Sequence, residues 1–190
     1  MLQNKLIVLS APSGAGKSTL LRNLLKKAEL RLSFSISATS RAPRAKEIDG
    51  IDYYYLSSQV FKDKIQSKEF IEWEEVYKDT FYGTLRTEVE RIWEERRNVI
   101  FDIDVIGGLN IKKLYPKDTL SIFIKPPSIE VLEKRLRARD TDSEESIIKR
   151  LEKAEKELSF ANQFDAIIIN DDLEKAKQES YQLIKKELKI

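Results

Sequence analysis

Neither cysteine nor histidine occurs anywhere in the chain. The first absence excludes disulfides, thiolate metal centres and a cysteine nucleophile. The second removes the commonest general base and the commonest zinc ligand. Any chemistry must be carried by Lys, Arg, Asp, Glu, Ser, Thr and Tyr. Phosphoryl transfer tolerates this restriction best, because it depends on positioning and on cations that stabilise charge.

A surplus of one charge is missing too. Against 34 Lys and Arg stand 32 Asp and Glu, for a net charge of +2. That is no electrostatic footprint for a nucleic-acid partner. No apolar run reaches the roughly 20 residues of a membrane span. The first ten residues are too short for a signal peptide, so the expectation is a soluble, cytoplasmic protein.

What is present points to one compact domain with room for small mobile lobes: 190 residues, 41% of them hydrophobic, are enough for a real core. There is no internal repeat and no low-complexity linker. Four short apolar runs, Leu6–Leu9, Val99–Ile103, Leu120–Ile124 and Ala166–Ile169, read as buried strands. Helical spacing marks Ser18–Lys27, Thr84–Arg97, Ile129–Arg139, Glu144–Phe160 and Leu173–Leu188. Thr141 and Glu144 have capping-box spacing, which places the start of the fourth helix there. Apolar strands with helices between them predict an α/β fold, a parallel sheet covered on both faces. The stretch 34–82 breaks the rhythm with short aromatic strands (Ser35–Ser37, Asp52–Leu56, Phe70–Trp73) and one helix near Val60–Ser67, and reads as an inserted lobe.

The strongest local signal is Ala11-Pro12-Ser13-Gly14-Ala15-Gly16-Lys17-Ser18-Thr19, between a strand and a helix. This is a phosphate-binding P-loop in its required context. Its backbone amides and the helix N-terminus favour an anion, and glycine permits close approach. Ser13, Gly14, Ala15, Gly16, Lys17, Ser18 and Thr19 form the candidate ATP site, with Lys17 reaching the β- and γ-phosphates and Ser18 a Mg²⁺ ion. Ala11 stands where the first glycine of the motif is usual. Asp102, closing the strand Val99–Phe101, is placed to hold the Mg²⁺ through water. An aspartate at a strand end is commonplace, and the P-loop is what gives this one weight.

The inserted segment carries Ser35-Ile36-Ser37-Ala38-Thr39-Ser40-Arg41-Ala42-Pro43-Arg44 and Gly50-Ile51-Asp52-Tyr53-Tyr54-Tyr55. Together with Ile71-Glu72-Trp73, Phe81-Tyr82-Gly83-Thr84, Asp102-Ile103-Asp104 and Asn170-Asp171-Asp172, this resembles the guanylate kinase family in the expected order over essentially the whole chain. The resemblance implies an ATP:GMP phosphotransferase, acting on GMP and dGMP in purine nucleotide metabolism. It divides one domain into a core (1–33, 84–125 and 151–190), a GMP-binding lobe (34–83) and a lid (about 126–150). Arg41 and Arg44 offer planar forks suited to a phosphate dianion, and the family adds the phenols matched by Tyr53 and Tyr82. Guanine shows two donors, N1–H and N2–H, and an acceptor, O6. By resemblance Glu72 takes the donors, Ser37 and Thr84 serve as hydroxyl partners, and Asp102 and Asp104 complete the GMP side. Taken alone, Glu72 reads as an ordinary surface acid and Tyr53 and Tyr82 as packing aromatics, while Arg41 and Arg44 are as readily a solvated turn.

Arg135 and Arg139 are four apart and share a helix face, and Arg150 on the next helix can meet them. The resemblance makes these three, with Lys17 and Arg41, the catalytic cations, and brings Asn170 near the adenine of ATP. Departures are Asp140, where the family often has glycine, and Ile106, where it often has glutamine. A kinase of another monophosphate, a non-catalytic binding module of the same fold, and a P-loop GTPase are the competing readings. The intact Gly16-Lys17-Ser18 argues against the second. The lack of a lysine in Asn170-Asp171-Asp172 argues against the third. The sequence leaves the oligomeric state open.

Overall fold

All five residues of the first strand, Leu6–Ser10, are buried, and they form the centre of the molecule. The chain is described by a computed structural model over residues 4–138 and 143–190. In chain order its first half comprises β1 (Leu6–Ser10), α1 (Lys17–Leu25), β2 (Leu32–Phe34), β3 (Ala38–Thr39), β4 (Tyr54–Tyr55), α2 (Ser58–Gln66), β5 (Phe70–Tyr77) and β6 (Thr80–Leu85). Then follow α3 (Arg86–Glu94), β7 (Asn98–Asp102), α4 (Val105–Leu114), β8 (Thr119–Lys125), α5 (Ile129–Arg137), α6 (Glu144–Ser159), β9 (Ala166–Ile169) and α7 (Leu173–Leu188).

Five strands make the parallel core sheet in the order β2-β7-β1-β8-β9. Strand alternation sends Ile7 and Leu9 to one face, where Leu20 and Leu24 of α1 and Ile184 of α7 cover them. Leu6 and Val8 face the other way, onto Val89 and Ile92 of α3 and Ile111 of α4. With both faces covered, the strands have no polar side, which is why they read as continuous apolar runs. Because β1 lies between β7 and β8, the loop leaving its C-terminal end opens beside Asp102.

The second sheet, β4-β3-β6-β5, is mixed. Its β5–β6 hairpin turns at Lys78-Asp79, with Asp79 at φ 59°. It has a small aromatic core of its own. Phe61 of α2 stacks on Phe70 at 4.3 Å and on Phe81 at 5.4 Å. A third cluster, Leu132, Leu136, Ile147 and Ala154, holds α5 against α6, and Arg137 pairs with Glu133 and Glu144 across the same joint.

The sequence reading and the structure differ in several places, and strands β2 and β3 were not expected. Ser35–Ser37 is the crossing between the two sheets rather than a strand. Thr84 belongs to β6, and α3 begins at Arg86. Thr141, expected to start a helix, lies outside the described residues; α6 starts at Glu144 with Ser143 as its cap, accepting from Ser146 N. α4 was not expected at all. Its segment opens Val105-Ile106-Gly107-Gly108, and adjacent glycines speak against a helix.

Candidate active site

Strand β1 ends at a loop whose Gly14 and Gly16 lie at φ +95° and +96°. Only glycine adopts this backbone without strain. At Gly16 a side chain would also strike Asn170 Nδ2, 2.2 Å from the place a Cβ would take. Asn170, buried at the end of β9, donates that amide to Ala15 O at 2.7 Å, so the loop is braced from across the sheet. Lys17 Nζ lies 2.5 Å from Asp102 Oδ1 and donates to Ile103 O at 3.0 Å. The loop, Asp102, Asp104 and Glu157 line a cavity of about 580 Å³ at the C-terminal ends of the strands. In open parallel sheets ligands bind at this edge. A cavity of about 660 Å³ at the opposite edge, near Lys5, Arg31 and Asn98, gathers none of the expected site residues.

Of the expected base-reading residues, Glu72 and Thr84 come together beside Asp104, at the lobe side of the cavity. Glu72 and Thr84 face each other across the β5–β6 pair, and Thr84 Oγ1 donates to Glu72 Oε1 at 2.7 Å. Glu72 is buried, and burial pushes its carboxyl up to about 7; the neighbouring Asp104 adds to the rise while Thr84 opposes it. Asp104 Oδ1 caps α4 by accepting from Gly107 N at 2.7 Å. A Cβ on Gly107 would sit 2.8 Å from Glu72 Oε2, so α4 approaches the carboxylate as closely as its backbone allows. Glu74, two residues on and on the same side of β5, is raised above the usual carboxylate range by the neighbouring Asp104 carboxylate first and by burial second. Ser37 lies just before β3, its carbonyl accepting from Tyr54 N of β4 at 2.9 Å.

A second group forms around Arg41. Its Nε donates to Tyr82 Oη at 3.0 Å, and its guanidinium lies 5.1 Å from the Tyr53 ring centre. Both terminal nitrogens bond Glu47, each at 2.7 Å. Glu47 also accepts from Arg44 N and Tyr55 Oη, and this set, Arg41 foremost, holds its carboxyl down to about 2. The Arg44 residue itself is exposed. Sequence reasoning passed over Glu47, Glu74 and Glu157. Each looks like an ordinary surface acid, and only the fold carries them to the site.

From α5, Arg135 Nη2 donates to Asn170 O at 2.9 Å, and from α6, Arg150 Nη1 donates to Ser13 Oγ at 2.8 Å. Both therefore reach the phosphate loop or its brace. Arg139 and Asp140 lie outside the described residues. Ile106 is exposed on the first turn of α4. The structure thus brings together Lys17, Ser18, Asp102 and Asp104 in one cavity, Glu72 and Thr84 beside it, and Arg41, Tyr53 and Tyr82 in the lobe.

Ser18 and Asp102, a hydroxyl and a carboxylate lining one cavity, are the hard oxygen donors that Mg²⁺ prefers. Among the described residues no cluster of three or more acids could hold a metal by itself.

The guanylate kinase family model matches residues 3–187. A guanylate kinase of Porphyromonas gingivalis is 57% identical over 169 residues, covering 89% of this chain and 90% of that protein. One from Bacteroides thetaiotaomicron is 54% identical over 184 residues, covering 97% and 90%. The crystal structure of guanylate kinase from Anaplasma phagocytophilum superposes with a TM-score of 0.75 at 29% identity, over 99% of this chain and 88% of that one. A shikimate kinase structure from Bacteroides thetaiotaomicron, at 17% identity and a TM-score of 0.50, shares the fold alone.

Proposed function

The chain belongs to the guanylate kinase family and uses ATP to phosphorylate GMP, giving ADP and GDP, and we propose the following roles for its residues. ATP binds with its phosphates in the loop Ser13–Thr19 and its base toward Asn170. GMP binds between the lobe (34–83) and the core, its guanine on Glu72, Thr84, Ser37 and Asp104 and its phosphate on Arg41, Arg44, Tyr53 and Tyr82. Segment 126–150 is the lid. dGMP is a second acceptor, since these contacts leave the sugar out. The enzyme works in the cytoplasm, where both nucleotides are found. The observation that carries the reading is the position of Asp104, which lines the phosphate-loop cavity and stands beside Glu72. The two nucleotides would therefore meet at the ends of β1 and β7.

In this reading a phosphate oxygen of GMP attacks the γ-phosphorus in line. The bond from that phosphorus to the β,γ-bridging oxygen breaks, and ADP leaves. The nucleophile is already an anion, so no general base is needed, in keeping with a chain that has no histidine. Lys17, released from Asp102, spans the β- and γ-phosphates, while Arg41, Arg135, Arg139 and Arg150 offset the charge where the two nucleotides crowd. Ser18 and Asp102 would hold Mg²⁺, which would supply charge neutralisation for the transferring phosphates when bound.

A coupled assay of ADP formation with ATP and magnesium, offering GMP, AMP, UMP, CMP and dTMP in turn, tests the assignment. Turnover is expected with GMP only, and Lys17→Ala should abolish it. Turnover with another nucleotide would remove the assigned role of Glu72. Ser18→Ala should raise the magnesium concentration needed for half-maximal rate; an unchanged requirement would take Ser18 out of the metal site.

A further inference from the structure

Glu88, in the first turn of α3, is 3% exposed and accepts four hydrogen bonds. Ile36 N donates to Oε1 at 3.1 Å, and Tyr54 Oη to Oε2 at 3.0 Å. Arg91, one turn along the same helix, donates Nε and Nη2 at 3.1 and 3.0 Å. Those donors come from separate parts of the chain. Ile36 lies on the crossing from β2 of the core to β3 of the lobe, and Tyr54 is in the lobe strand β4. α3 is the return path from the lobe strand β6 to the core strand β7. Both connections between core and lobe therefore close on one carboxylate, and the Arg91 fork holds its orientation.

The next residue after Ile36 is Ser37. With Ile36 N held by Glu88 on one side and Ser37 O bonded to Tyr54 N at 2.9 Å on the other, the peptide carrying the Ser37 side chain is fixed at both ends. Tyr54 is itself tied to Glu88, so the clamp is closed. We propose that Glu88 is a positioning residue for the guanine site, setting the backbone of Ile36–Ser37 at the core–lobe junction so that the Ser37 hydroxyl faces guanine O6. The inference rests on the role given to Ser37 above. Glu88 touches no reacting atom, and its effect belongs in acceptor binding rather than in the transfer step.

The experiment compares steady-state constants for E88A, E88Q, Y54F and S37A, with melting temperatures recorded for each. E88A is expected to raise KM for GMP about tenfold, the scale of one lost charge-assisted hydrogen bond, while KM for ATP stays within about twofold. E88Q keeps an acceptor for Ile36 N and should recover most of that loss. Y54F should raise KM for GMP about threefold, and it carries the test if E88A does not fold. IMP shares O6 with GMP but lacks the N2 amine, so E88A should raise KM for both by the same factor. The double variant S37A/E88A, or S37A/Y54F, should be no worse than its worse single variant. The proposal is overturned if the folded variants leave KM for GMP unchanged, if KM for ATP rises in step, or if the effects multiply. If S37A itself has no effect, the role of Ser37 fails and this inference with it. If S37A matters while E88A and Y54F do not, only the inference fails.

Discussion

Glu72 is a residue whose fold works against its charge. Its carboxyl is raised from an ordinary 4.5 to about 7, burial being the largest cause. An acid whose folded pKa lies above its unfolded value contributes stability below the unfolded pKa and loses it as pH rises toward the folded one. The empty enzyme should therefore lose stability between about pH 4.5 and 7 on account of this group. Guanine binding has the opposite sign, because N1–H and N2–H need an ionised acceptor. KM for GMP should rise about tenfold between pH 8 and pH 6, as the ionised fraction falls. A flat profile would show that Glu72 does not receive the base. E72Q should flatten the profile and raise KM for GMP by about 10–10²-fold, yet melt no lower than the parent at pH 8. Gly16→Ala belongs at this scale as well. Its φ of +96° and the 2.2 Å approach to Asn170 Nδ2 predict a loss of about 1–3 kcal/mol, read from thermal melts, with weaker ATP binding. The phosphate-loop residues were legible in the sequence because their chemistry is written in nine consecutive positions. Glu47 and Glu88 were not, since an acid in a charged segment reads as solvated until the fold brings Arg41 or Tyr54 to it.

Among the elements, α4 shows why a helix can escape a reading of periodicity. Each interior glycine costs a helix roughly 1 kcal/mol relative to alanine, and α4 has two in its first turn. Packing explains both. A Cβ on Gly108 would sit 2.7 Å from Ser10 Oγ and 2.8 Å from Val8 Cγ1, and one on Gly107 would meet Glu72. The helix lies too close to β1 and the base pocket for any side chain there, so tertiary fit overrides propensity. Asp104 serves this element twice, as its cap and as the charge beside Glu72. The two roles separate by substitution. D104A should lose about 1 kcal/mol of stability through the cap. D104N keeps the acceptor and should hold stability within about 0.5 kcal/mol, while moving the midpoint of the pH profile for GMP below about 7. If D104N leaves the midpoint in place, the charge of Asp104 does not reach Glu72. Four of the five core strands were legible as apolar runs; β2 was not, being three residues long with Ser33 and Phe34 only half-buried. The crossing Ser35–Ser37 was not, because its alternation resembles a strand although its partners are a helix carboxylate and a lobe tyrosine.

For the whole molecule, four apolar clusters lie in three bodies: one on each face of the core sheet, one around Phe61 in the lobe and one around Leu136 between α5 and α6, with Ile71 of the lobe packed into the core cluster under α3 and α4. Motion between such bodies costs little where few apolar contacts cross. Closing of lobe and lid over both nucleotides would exclude water and limit wasteful ATP hydrolysis. Small-angle scattering should show a smaller radius of gyration with GMP and a non-hydrolysable ATP analogue together than with neither. Identical profiles would count against closure.

The pairs Lys17–Asp102 and Arg41–Glu47 bear on how a nucleotide arrives. Two of the cations proposed to bind phosphate are paired with internal carboxylates, and the chain as a whole carries a net charge of only +2. The long-range field that would draw a polyanion from solution is correspondingly faint. Capture then depends on an exchange of partners after contact, with the incoming phosphate displacing a carboxylate at each site. Association rates measured by stopped flow should change little between low and physiological salt. Discrimination would be exercised in how long a nucleotide stays rather than in how often it is met.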